Sequence, residues 1–419
     1  MLSKKALISA IFVCGSFAAS AQNSTNSPYT RYGLGDLSDQ IFTSNSAMGG
    51  IGYGLRSNNE VNPMNPASYS SVDSLAFMFD MGISLKASNY KEKSYKTHTT
   101  NSSFDYLVMQ FRLHPRLGLA FGFTPFSTVG YNFTVTDPVK GNEDVQVMNN
   151  FTGDGGSHNV FLGLGFKILE NLSIGTNIGY FYGKQTYKTT AAFSNNADAT
   201  IKFDRRRVKS YKIDLGVQYT QEFNKDNNMT FGFTYGLGHD LTVSEHRGKQ
   251  VTDGGSYNQI EEKVYHGGYS LPHSFGAGVA FRHKRKLTAG FDYTLQKWSK
   301  AKYNDKEGMY NDRTRLALGL EYVPNLIGRN YLSKIAYRLG TYYTSPYLKT
   351  PQGDGPKEYG VTAGFGFPLY LFQRRTTLSI TGQYSRLKPS VEHLLQEDRF
   401  VLKLGLTFNE AWFMKWRVN

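Results

Sequence analysis

The chain has 419 residues, 19% of them charged, with 47 Lys+Arg against 33 Asp+Glu and a single cysteine. Its charge density lies below the roughly 25% of soluble domains, and its 43 glycines exceed the usual share. The basic residues are scattered apart from Arg205-Arg206-Arg207, which argues against a nucleic-acid partner and for attraction to an anionic lipid surface.

Residues 1–21 read as a secretory signal peptide. Lys4 and Lys5 precede a short apolar run, Ala6 to Val13, and Ala19-Ser20-Ala21 forms a small-residue cleavage site. The run is too short for a membrane-spanning helix, which needs roughly 20 residues. Cys14 lies inside the leader behind Phe12 and Val13, a context that speaks against lipidation. Removal of the leader leaves no cysteine for a disulfide, a thiolate or a metal.

Residues 22–73 lack alternation. They carry Gly33, Gly35, Gly49, Gly50, Gly52 and Gly54 and the turn-forming run Asn62-Pro63-Met64-Asn65-Pro66-Ala67. Tyr29, Tyr32, Phe42, Met48, Ile51 and Leu55 make the segment too apolar for a disordered tail. It is expected to fold into a barrel lumen as a plug, where irregular backbone is shielded from lipid.

Residues 74–408 alternate with period two. Leu75, Phe77, Phe79, Met81, Ile83 and Leu85 share one face, and Ala76, Asp80, Gly82, Ser84 and Lys86 the other. Tyr211, Ile213, Leu215, Val217 and Tyr219 form another such face. Their eight-residue step spans roughly 26 Å, close to the apolar band of an outer-membrane barrel once tilted. The pattern recurs to Phe400, Leu402, Leu404, Leu406 and Phe408. Short connections at 114–116, 169–171, 224–228 and 283–286 alternate with long polar segments near 125–157, 185–204, 242–269, 299–312 and 345–356. The fold class is therefore an all-β, transmembrane, antiparallel β-barrel of about 14 strands with an N-terminal luminal plug. Residues 409–419 read as a periplasmic C-terminal extension, and the location as the outer membrane of a Gram-negative bacterium.

Asn65-Pro66-Ala67 ahead of the first strand, the strand number, Leu271-Pro272 through Gly278 to Asp292 and Trp298-Ser299, and Arg338-Leu339-Gly340 followed by Tyr359 to Gly364 together resemble the FadL/TodX family of outer-membrane transporters. Ser27-Pro28-Tyr29 to Gly35-Asp36-Leu37 departs from that family and looks like a Bacteroidetes-type form. The resemblance implies transport of long-chain fatty acids or other hydrophobic molecules through a hatch-gated barrel. Asn65, Pro66 and Ala67 would belong to the hatch, and Met48, Ile51 and Leu55 would line an apolar tunnel. It also implies a lateral exit at a kinked third strand, where Thr124-Pro125-Phe126 lies; a plain strand end at Pro125 is the other reading. Related barrels serve protein secretion, so the alternative is a non-transporting barrel that partners secretion or outer-membrane assembly. The partners implied are outer-membrane lipid and a hydrophobic ligand such as a fatty acid, or a protein at the outer loops. No cofactor or metal is expected. Asp154, Ser157 and His158 have the residue types of a hydrolase triad, but they crowd one segment and no nucleophile elbow occurs, so no enzyme is expected.

Overall fold

The structure is a computed structural model and describes residues 24–74, 76–195, 197–253, 256–369, 376–391 and 394–411. The leader expected at 1–21 and residues 412–419 lie outside the described residues. Before the wall come a 3-10 turn, Pro28–Arg31, a two-residue strand, Asp36–Leu37, one helical turn, α1 (Thr43–Ser46), and a second 3-10 segment, Pro66–Ser71.

The wall has 14 antiparallel strands and is closed. In chain order they are β1 (Ala76–Glu92), β2 (Tyr95–His114), β3 (Leu117–Val139), β4 (Asn142–Lys167), β5 (Leu172–Phe193), β6 (Thr200–Asn224) and β7 (Asn227–Gly236). The second half comprises β8 (Ser274–His283), β9 (Leu287–Gln296), β10 (Arg313–Tyr322), β11 (Ala336–Thr344), β12 (Lys357–Leu369), β13 (Thr376–Lys388) and β14 (Gln396–Ala411). Each strand pairs with its neighbours in sequence, and β1 pairs with β14 from Ala76↔Ala411 to Lys91↔Gln396, which removes the sheet edges there.

Burial is inside-out, as a lipid solvent requires. Leu162, Ile178, Leu215, Phe233, Leu318 and Leu339 are exposed, whereas Gln110, Gln185, Gln218, Asp292 and Arg338 are buried. One face of each strand meets hydrocarbon and the other meets a polar, filled lumen.

Two stretches read as loops in the sequence are strand. Residues 125–157 continue β3 and β4 to a tight turn at 140–141, and most of 185–204 belongs to β5 and β6. From Asn132 to the turn and back to Thr152 both faces of these strands are exposed or half-buried, so the alternation fades. Their Thr, Val, Tyr and Phe content still favours extended backbone. Within 242–269 lies a hairpin, Val243–Asp253 with Ser256–His266, whose first strand pairs with β6 from Val243↔Val208 to Val251↔Thr200. At the other end β14 runs to Ala411, three residues beyond Phe408.

Candidate functional site

The hatch circles the lumen once, and the wall gives it room by omitting side chains. Taken in strand order, a Cβ built on Gly118, Gly165, Gly175, Gly216 and Gly232 would strike Tyr69, Pro66, Pro66, Asn65 and Tyr53. On Gly290, Gly319, Gly340, Gly364 and Gly405 it would strike Ile51, Met48, Gly49, Ala47 and Thr43. The hatch numbers run from 69 down to 43 as the strands advance from β3 to β14, with adjacent 48 and 49 the one inversion.

Asn65-Pro66-Ala67 sits in the first half of that circle, and Asn65 and Ala67 are fully buried. Asn65 caps the second 3-10 segment: its Oδ1 accepts from the Ala67 N–H at 3.2 Å. Its Nδ2 donates to the carbonyls of Tyr53, at 2.9 Å, and of Val217 in β6, at 3.0 Å. Asn65 thus ties two hatch turns to the wall, and Pro66 starts the segment without an N–H that would need a partner. Met48 and Ile51 pack with Ala317 and Tyr342, and Leu55 rests on the same cluster. The structure brings the three together against β10 and β11, with Met48 and Ile51 2% and 1% exposed. They are packed side chains, not the lining of an open passage.

Polar clamps complete the fastening. The Asp292 carboxylate accepts from the Gly52 and Tyr53 amides at 2.6 and 2.9 Å. Thr362 Oγ1 accepts from Gly49 N–H at 2.9 Å, and the Arg315 guanidinium donates to Gly49 O at 2.7 Å. Acidic hatch residues meet wall arginines: Asp36 with Arg399 at 2.9 Å, Asp39 with Arg313 and, at 3.5 Å, Arg315, and Glu60 with Arg338 at 2.5 Å. Burial pushes the Asp39 carboxyl up, but the Arg313 and Arg315 guanidiniums outweigh it and hold the group at about 2. The sequence reading missed these arginines. Their signal was charge at inward positions of strands, as in Arg313-Thr314-Arg315.

Above the hatch circle the lumen is filled by apolar and aromatic side chains. Leu34, Phe126, Phe181, Trp298, Tyr310 and Tyr347 belong to one buried cluster, with Trp298 fully buried. Trp298 packs on Tyr310 and Tyr347 at ring distances of 5.5 and 5.1 Å. Of Arg205-Arg206-Arg207, Arg206 turns inward among Tyr187, Tyr269 and Tyr303 and pairs with Asp204 and Glu245, so it is not free for lipid phosphate. Within the lumen, cavities lie beside the hatch. One of ≈ 230 Å³ is lined by Asp36, Asp39, Arg313, Arg399 and Lys403, and one of ≈ 100 Å³ by Tyr53, Met64, Lys212 and Asp214.

Pro125 does not end β3, which runs on to Val139. Pro125 pairs with His158 and Ser127 with Ser157, a bulge against β4. On the other side β3 pairs with β2 only from Leu117↔His114 up to Phe123↔Leu107. Phe104 of β2 and Phe123 of β3 approach to 6.3 Å there. Beyond that point β3 offers its edge to the hatch instead: Thr128 and Ser127 pair with Asp36 and Leu37, and the Ser38 N–H donates to Phe126 O at 2.8 Å. Thr124 and Phe126 point inward, and the Phe126 ring meets Phe181 edge-on at 5.0 Å.

Asp154, Ser157 and His158 are not a catalytic set. They lie within β4, where Ser157 is buried and His158 stacks outward on Phe123 at 5.3 Å; neighbours in a strand face opposite ways.

Fold and site together define a closed, hatch-filled transmembrane β-barrel. The model of the BamG family matches residues 1–419, and the chain belongs to that family. Among curated protein sequences nothing matches. Solved structures share the fold. The Pseudomonas putida toluene transporter TodX has a TM-score of 0.62 at 12% identity, over 91% of this chain and 99% of that one. A Pseudomonas aeruginosa FadL homologue has a TM-score of 0.60 at 13% identity, over 89% and 99%. The CymD monoaromatic hydrocarbon channel has 0.58 at 12%, over 88% and 97%.

Proposed function

We propose that this protein is an outer-membrane barrel of a Gram-negative bacterium that works as a partner in protein secretion or outer-membrane assembly, with its own lumen held shut. One observation carries the reading: the space a hydrophobic cargo would cross is occupied by the protein's own packed aromatics and by a hatch ion-paired to the wall. The luminal cavities of ≈ 230 and ≈ 100 Å³ are small and bordered by charged side chains, a poor fit for an apolar cargo.

The second reading is hatch-gated transport of a hydrophobic compound such as a fatty acid. It is favoured by the fold shared with hydrocarbon channels and by the parting of β2 from β3 beside Pro125. On that reading Asn65, Pro66 and Ala67 are the gate, Met48, Ile51 and Leu55 part from the wall when it opens, and Thr124 to Phe126 flank the exit.

Affinity purification of the full chain in a mild detergent, with mass spectrometry of retained proteins and small molecules, separates the two. A stoichiometric outer-membrane protein partner and no retained apolar molecule is the expected result. A barrel that purifies alone with a stoichiometric fatty acid or hydrocarbon overturns it in favour of transport.

A further inference from the structure

We infer that the parted outer ends of β2 and β3 form a docking site for an extended polypeptide segment of a partner protein, which adds to the wall as a strand. The inference rests on the partner reading above and names the surface involved. Over Tyr95–Thr100, β2 pairs with β1 alone, and over 131–139 β3 pairs with β4 alone among the described residues. Two strand edges therefore border one cleft of ≈ 880 Å³, with Tyr95, Thr97 and Thr99 on one side, Phe133 and Val135 on the other, and Tyr32 of the hatch between.

The chemistry of the cleft selects its occupant. Open strand edges present rows of N–H and C=O groups, and only another extended backbone satisfies a whole row at the strand spacing. The same edge of β3 already receives such a segment lower down, where Asp36–Leu37 pairs with Thr128 and Ser127. The β2 edge is not guarded as solitary edges are: Tyr95–Thr100 carries Lys96 and His98 but no proline and no bulge, the β1–β2 register shift lying at Gly82/Ile83. The tyrosines, threonines and asparagines around it suit adaptable binding of a peptide. Arg31 and Glu92 are the charged residues of its lining, one of each sign, so an uncharged segment fits better than an anionic headgroup or phosphorylated sugar.

The test uses the full barrel in detergent and a displayed library of ten-residue peptides with alternating Thr, Val and Tyr. The one cysteine, Cys14, falls in the expected leader, so Thr97→Cys and Val135→Cys each take one environment-sensitive dye in the cleft, and Ser194→Cys, outside its lining, serves as a control. Selected peptides are expected to shift the dye at 97 and 135 and not at 194. N-methylation of every second peptide residue should weaken binding at least 10-fold in either register, because alternate amides face the β2 edge and the β3 edge. No enrichment over an empty-micelle control, binding indifferent to N-methylation, or a shift confined to 194 overturns the site. A barrel that copurifies with a protein yet selects no such peptide keeps the partner reading and loses this cleft.

Discussion

At Asp39 the hatch is latched by charge. Its carboxylate accepts from Arg313 at 2.9 Å and lies 3.5 Å from Arg315, and both arginine side chains are less than a tenth exposed. Holding the group at about 2, against an ordinary 3.8, ties stability to pH. Because the folded value is depressed, the contribution is complete above the unfolded value and is lost as pH falls from near 4 toward 2. The difference corresponds to about 2 kcal/mol. Denaturant unfolding of the natural barrel in detergent should therefore show a fall of that order across this window. Asp39→Asn should be less stable at pH 7, by roughly 3–5 kcal/mol if the two arginines stay buried and unpaired, and should lose that step of the pH dependence. An unchanged acid step in the variant would remove Asp39 as its source.

At the level of elements, the hatch and the wall are fitted to each other through glycine. The inward glycines were visible as a high glycine content, but not as a track. The alternation identifies which face of a strand looks inward; it does not say that Gly118, Gly232 and Gly340 come level once the strands are tilted and staggered. The same limit explains the strands mistaken for loops. Periodicity reports a boundary between two solvents, and at the outer ends of β3 and β4 neither face is buried. The fit predicts an asymmetric response to one change. At Gly232 a side chain would overlap the Tyr53 carbonyl, whereas Gly382 is exposed and has its nearest atom, Ala363 O, at 3.9 Å. Gly232→Val should cost about 1–3 kcal/mol by overpacking and make the hatch more susceptible to added protease. Gly382→Val should leave unfolding and proteolysis as they are. Equal behaviour of the two variants would mean that the hatch does not lean on the wall.

For the whole molecule, wall and hatch have separate grounds for stability. The wall is closed by the β1–β14 ladder, and every described strand of it is paired without help from the hatch along most of its length. Lipid-facing alternation made this legible from sequence: about fourteen strands were expected, and the barrel has 14. That an N-terminal plug fills the lumen was legible too; how it is fastened was not, because ion pairs such as Glu60 with Arg338 join residues far apart in the chain, and no local pattern announces them. Separable grounds imply separable loss. Deleting 24–72 should leave a folded barrel, recognised by its heat-dependent mobility on gels, with a water-filled lumen and porin-like conductance in a planar bilayer. The full chain should conduct little, since its ≈ 230 and ≈ 100 Å³ cavities are flanked by the hatch and the aromatic cluster. A full chain as conductive as the deletion variant would show the hatch leaving the lumen unaided, and the balance would shift to a gated channel. Silence of the full chain, with conductance appearing only on deletion, is what a barrel kept shut for work at its outer surface requires.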